Sequence, residues 1–87
     1  MLELYQSEGC PHSQTVRERL SELGVSYVAH NPRLPGSEGG DVTNELTHGE
    51  LVDAGGDDQI PCLVDTDRGE VVYESEAIVD YLDEHYA

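Results

Sequence analysis

The stretch "SEGCPHSQTVRERL", Ser7 to Leu20, sets a cysteine directly before a proline at the point where a helix begins. Pro11 suits a first helical position, because the N–H it lacks would find no partner there and its φ is already helical. Downstream, Val16, Leu20 and Leu23 recur at helical spacing, and Gly24 is a natural stop. Upstream, "LELYQ" alternates with Leu2 and Leu4 on one face, which predicts a short strand closed by Gly9. "VSYVAH", Val25 to His30, alternates again and predicts a second strand. Two strands joined by a helical crossover are expected to be parallel and right-handed.

The same patterning extends over the rest of the chain. "QIPCLVD" predicts a third strand from Ile60 to Asp65, "TDRG" a turn, and "EVVYE" a fourth strand, together an antiparallel hairpin. "SEAIVDYLDEHY" places Ala77, Ile78, Tyr81 and Leu82 on one helical face, with Ser75 as N-cap and Glu74 and Glu76 at the positive helix start. Between these halves, "NPRLPGSEGG" is turn-forming. "DVTNELTHGELVDAGG" offers Val42, Leu46, Leu51 and Val52 to a middle helix between Asp41 and Gly55, weakened by Gly49. The expected order is β-α-β-α-β-β-α. This is an α/β fold with a four-stranded mixed sheet, three helices and both faces covered, in a single domain over residues 1–87.

The charge balance is extreme, with 19 acidic residues against 4 basic ones and a formal charge of −15. All the basic residues are arginine. Nucleic acid and anionic membranes would be repelled, so neither is an expected partner. The acids are spread between regular apolar positions instead of forming a block, which fits a folded domain with an acidic surface. A surface of this kind without lysine resembles those of salt-loving archaea. At about 1 M salt the Debye length falls to about 3 Å, which screens the self-repulsion. The opening "MLELYQSEGC" has no basic start and no long apolar run, so a cytoplasmic location is expected.

Cys10 holds the chemical interest. A helix start presents free N–H groups and the positive end of the dipole, both of which favour an anion. A thiolate is such an anion, and it is the attacking species in thiol–disulfide exchange. The position alone also fits a buried cysteine acting as a small apolar residue. The second cysteine, Cys62, reads as packing. His12, His30, His48 and His85 are scattered without ligand spacing, so no metal site is expected.

"CPHS", "QIPCLVD" and "YESEAIVDYL" taken together resemble the glutaredoxin family and the glutathione-binding N-terminal domain of glutathione transferases. Both have the thioredoxin-like fold in the order derived above. The resemblance covers nearly the whole chain and is loosest from Asn31 to Gly56. It implies that Cys10 is the catalytic nucleophile, supported by Pro11, His12 and Ser13. It implies that Pro61 is a cis-proline facing the cysteine, and that the exposed backbone of Ile60 pairs with the thiol peptide like an added strand. Glu74 and Ser75 match a Glu-Ser pair that holds the γ-glutamyl end, an instance of anion binding at a helix start.

Two departures from the family qualify the function. Ser13 replaces the second cysteine of the glutaredoxin motif, which leaves a monothiol route. The expected activity is a thiol–disulfide oxidoreductase that reduces mixed disulfides between proteins and a small γ-glutamyl thiol. No cofactor is held tightly, and glutathione or γ-glutamylcysteine serves as co-substrate. Glutaredoxins commonly carry a lysine three residues before the nucleophile to meet the glycine carboxylate of glutathione, and Ser7 stands there instead. Arg17 or Arg33 are the candidates to replace that charge. Because salt-loving archaea use γ-glutamylcysteine, which has no glycine, that thiol is the favoured one. Two alternatives remain: a [2Fe-2S] cluster carrier or scaffold, and a thiol-peptide-binding, transferase-like N-domain without turnover. The expected partners are thiolated proteins or small mixed disulfides, and the expected state is a monomer.

Overall fold

The computed structural model describes residues 1–32, 49 and 59–87. Among them lie four strands, β1 (Leu2–Tyr5), β2 (Tyr27–His30), β3 (Cys62–Asp65) and β4 (Glu70–Tyr73). Two helices accompany them, α1 (Pro11–Leu23) and α2 (Ser75–His85). The strands form one sheet in the order β2-β1-β3-β4. β1 pairs with β2 in parallel, from Leu2 opposite Tyr27 to Tyr5 opposite His30. β3 runs antiparallel to both neighbours, with Tyr5 opposite Cys62 on one side and Tyr73 opposite Cys62 on the other. This is the thioredoxin-like α/β fold with a mixed four-stranded sheet. The expected middle helix lies outside the described residues apart from Gly49, which is helical.

The helix boundaries follow from local chemistry. Cys10 occupies the N-cap of α1 in extended geometry (φ −76°, ψ 119°), and Pro11 opens the helix. Gly24 ends it in the left-handed region at φ 68°. There the Gly24 N–H donates to the Ser21 carbonyl at 3.1 Å and the Val25 N–H to the Leu20 carbonyl at 3.0 Å, the paired closure that a left-handed glycine permits. That closure consumes Val25, so β2 begins two residues later than its alternation predicts. β3 likewise begins at Cys62 instead of Ile60, because Pro61 has no N–H to donate to a ladder; the Ile60–Pro61 peptide is cis.

At α2 the sequence expectation needs correcting. Glu74, not Ser75, is the N-cap, and Ser75 is the first helical residue. Glu74 sits at φ 71°, the one non-glycine residue with positive φ among those described.

The core follows the two periodicities. Leu2 and Leu4 of β1, Leu63 of β3, Val16 and Leu20 of α1, and Ile78 and Leu82 of α2 form one buried cluster. Both described helices therefore pack on the same sheet face. Burying each of these side chains contributes about 1.5–3 kcal/mol. Arg19 ties the helices at the rim, its Nη2 lying 2.6 Å from Asp83 Oδ1. On the opposite face Tyr5 and Cys62 are packed by Ile60, Val64 and Tyr73. There the His30 ring stacks on Tyr5 at 4.4 Å, and its Nε2 lies 2.8 Å from Glu3 Oε1.

Candidate functional site: a cleft between two helix starts

α1 and α2 both begin beside the end of β3 that carries Pro61. The loop from β1 into α1 is pinned by its backbone: the Cys10 N–H donates to the Ser7 carbonyl at 3.3 Å. The Ser7 N–H donates to the Ser13 hydroxyl, also at 3.3 Å. Ser13 is fully buried. The residue in the place of a second cysteine therefore fastens the loop that presents the first. Cys10 is 2% exposed.

A cleft of about 360 Å³ opens where these elements meet. Gln59 and the cis Ile60–Pro61 pair line it from the approach to β3, Glu74, Ser75 and Glu76 from the start of α2, and His12 from the first turn of α1. Of the residues singled out in the sequence, His12, Ile60, Pro61, Glu74 and Ser75 thus share one cavity. Cys10, Pro11 and Ser13 belong to the adjoining helix start but are not among its lining residues. Sequence reasoning missed Gln59 and gave Glu76 only a helix-stabilising role. Their adjacency to Ile60 and Ser75 was the available signal.

A family model described as "Glutathione S-transferase, N-terminal domain" matches residues 4–87. The chain belongs to this family. The fold is also similar to solved glutathione S-transferases. The 1-6 enzyme of Anopheles dirus species B superposes with a TM-score of 0.75 at 30% identity, covering 98% of this chain and 36% of that one. Isozyme E7 of Drosophila melanogaster gives a TM-score of 0.72 at 28% identity, covering 100% and 35%. A diazinon-metabolizing transferase of the silkworm Bombyx mori, at 24% identity and a TM-score of 0.72, covers 99% and 38% and shows likeness of fold alone. The chain spans little more than a third of the length of these proteins. No curated protein matches the sequence.

In this glutathione S-transferase N-terminal domain, the remaining charged and sulfur groups sort away from the cleft. Arg17 lines a separate open groove with Tyr27, lies 3.0 Å from Glu8 and donates to Gln6. It is not among the residues that line the cleft. Arg33 lies outside the described residues. Burial pushes the Cys62 thiol up to about 11, only partly offset by its hydrogen bond with Tyr73. That thiol stays protonated at neutral pH, which fits packing. Among the described residues no group of three or more His, Cys, Asp or Glu is gathered around a metal position. No described helix is long and apolar enough to cross a membrane.

At the far end of β3 is a polar centre that the sequence did not reveal. Asp65 is fully buried and accepts hydrogen bonds from the hydroxyls of Tyr81 at 2.8 Å and Tyr86 at 2.7 Å. Burial raises its carboxyl, but the hydrogen bonds from Tyr86, Tyr81 and the backbone outweigh that and hold it below its ordinary value. This centre anchors the end of α2 whose beginning lines the cleft.

Proposed function

We propose that the domain binds a γ-glutamyl thiol in this cleft and that Cys10 carries out monothiol disulfide exchange with it, as glutaredoxins do. The observation that carries the reading is the convergence of the α2 start, the cis Ile60–Pro61 pair and His12 on one cleft, two residues from Cys10. The first amides of α2 suit the ligand's α-carboxylate, and Glu74 suits its ammonium group. The backbone of Ile60 suits its peptide.

In the first step the Cys10 thiolate attacks the small-thiol sulfur of a mixed disulfide. The protein sulfur leaves as a thiolate and takes up a proton. Cys10 is then joined to the small thiol by a disulfide. A second small-thiol thiolate attacks that bond, releases Cys10 and leaves as the oxidised small-thiol dimer. In sum, one mixed disulfide and one free small thiol give one protein thiol and one small-thiol disulfide, whose second half comes from the mixed disulfide itself, and Cys10 is regenerated unchanged. Glutathione and γ-glutamylcysteine are the candidate co-substrates, with γ-glutamylcysteine favoured because no described cation meets a glycine carboxylate. The acidic surface is the feature that supports a salt-rich cytoplasm as the proposed setting for this chemistry.

The test is reduction of a defined mixed disulfide by wild type and Cys10→Ser, with each small thiol supplied in turn. Turnover by wild type that Cys10→Ser abolishes supports the exchange route, and absence of turnover with both thiols rejects it. The family match and the low exposure of Cys10 favour a second reading, a thiol-binding domain without turnover. Saturable thiol binding in the absence of exchange would select it.

A further inference from the structure

Thiol–disulfide exchange in this cleft moves a proton as well as sulfur. The protein sulfur leaves the mixed disulfide as a thiolate and gains a proton, and the second small thiol loses one before it attacks. Among the described residues lining the cleft, Gln59, Ile60, Pro61 and Ser75 neither gain nor lose a proton near neutrality. Glu74 and Glu76 carry carboxyl groups, which ordinarily ionise well below neutrality and then hold no proton to give. The remaining lining residue is His12. Imidazole is the side chain that serves as acid and base near neutral pH. His12 is exposed and makes no hydrogen bond or ion pair with another described residue.

Its place on α1 fits the geometry of the reaction. The attacking, attacked and leaving sulfurs of an exchange lie in a line. With Cys10 attacking, the leaving sulfur stands two S–S lengths, about 4 Å, beyond it. The incoming sulfur of the second step arrives at the same place, because Cys10 is then the leaving group. A proton carrier is therefore needed beside that outer position and not against Cys10. Residues two apart on a helix do not face each other. His12, two residues after the Cys10 N-cap, lines the cleft that Cys10 itself does not line.

Building on the exchange reading above, we propose that His12 is a catalytic residue that shuttles this proton. In the first step its imidazolium gives a proton to the protein sulfur as the bond from that sulfur to the small-thiol sulfur breaks. A protein thiol departs and His12 is left neutral. In the second step the neutral ring takes the proton of the incoming small thiol, whose thiolate attacks the sulfur joined to Cys10. Cys10 leaves as a thiolate, the small-thiol disulfide departs, and His12 is charged again. One proton passes from small thiol to protein thiol, and no further reactant is required.

The dependence of rate on the leaving thiol tests this. The probes are mixed disulfides of γ-glutamylcysteine, and in parallel of glutathione, with mercaptoethanol or with para-nitrothiophenol. The alkyl sulfur of mercaptoethanol is a poor leaving group without a proton, whereas the aromatic sulfur leaves as a stable thiolate. Single-turnover modification of Cys10 is followed by quenched-flow mass spectrometry in wild type and His12→Gln. The aromatic-to-alkyl rate ratio is taken within each protein, so that any difference in folded fraction cancels. His12→Gln should raise the ratio by about 100-fold, the lower end of what a positioned acid contributes. An equal ratio in the two proteins would show that His12 gives no proton to the leaving sulfur and would overturn the proposal, leaving the exchange reading intact. No modification of Cys10 by any probe in wild type would overturn that reading and the proposal with it.

Discussion

The Ser13 hydroxyl accepts a hydrogen bond from the Ser7 amide at 3.3 Å, closing the loop that carries Cys10 from inside the first turn of α1. A buried bond of this kind contributes about 0.5–1.5 kcal/mol. Ser13→Ala should therefore lower stability by about 1 kcal/mol, a fall in melting temperature of about 4–8 °C for a domain of this size. Thermal melts of the two proteins check it, and an unshifted melt would mean that the loop is held by other contacts.

The two cysteines should differ in reactivity. Cys62 is fully buried with its thiol raised to about 11, so little thiolate forms near neutrality. Cys10 is itself only 2% exposed but stands at the α1 start beside the cleft, so on the exchange reading iodoacetamide at pH 7.5 should label it in the folded chain and reach Cys62 only after denaturation. Peptide mass spectrometry reads both sites at once. Comparable native labelling of Cys62 would contradict its packing role.

Stability should fall on both sides of neutrality, for reasons of known sign. The Asp65 carboxyl is lower in the folded state than its ordinary 3.8. Its contribution is therefore present above 3.8 and is lost as pH drops through the folded value. The Asp65→Asn variant lacks this titration, so its melting-temperature deficit relative to wild type should shrink as pH falls below 3.8. Burial and the neighbouring Asp65 raise Tyr81, and the Asp65 hydrogen bond and burial raise Tyr86. Cys62 is raised too; its contribution is intact below pH 9.0 and is lost as pH climbs toward about 11, while those of Tyr81 and Tyr86 are intact below pH 10.0 and are lost only above it. A melting temperature that is flat from pH 8 to 11 would refute the alkaline limb.

Salt should stabilise the chain. With a formal charge of −15, mutual repulsion between surface carboxylates opposes the compact state. Raising KCl to about 1 M shortens the Debye length to about 3 Å and screens that repulsion. The melting temperature should rise steadily between low and molar KCl, and a constant value would remove the case for a salt-adapted surface.

The elements built on simple periodicity were legible in the sequence. Leu2, Leu4 and Leu63 alternate, Val16 and Leu20 recur at helical spacing, and these residues form the core. Gly24 closes α1 as its chemistry requires. Much of the cleft was also legible, because His12, Ile60, Pro61, Glu74 and Ser75 sit at the starts and ends of recognisable elements. The N-cap of α2 was not. Glu and Ser are both ordinary near a helix start, and only the backbone shows that Glu74 takes the positive φ. Asp65 was missed for a related reason. A charged residue at the end of a strand normally meets solvent. Here Tyr81 and Tyr86 fold back from α2 to bury it, and nothing local in "CLVD" encodes those distant partners.

The complete absence of lysine has a practical side. No side chain among the 87 residues carries a primary amine, and the structure has one at the Met1 ammonium group. That ammonium group lies 2.7 Å from Asp67, in the turn at the opposite end of β3 from Pro61. Amine-directed succinimidyl esters would therefore leave every side chain of these 87 residues unmodified, so a dye or linker coupled through an amine keeps the cleft unobstructed.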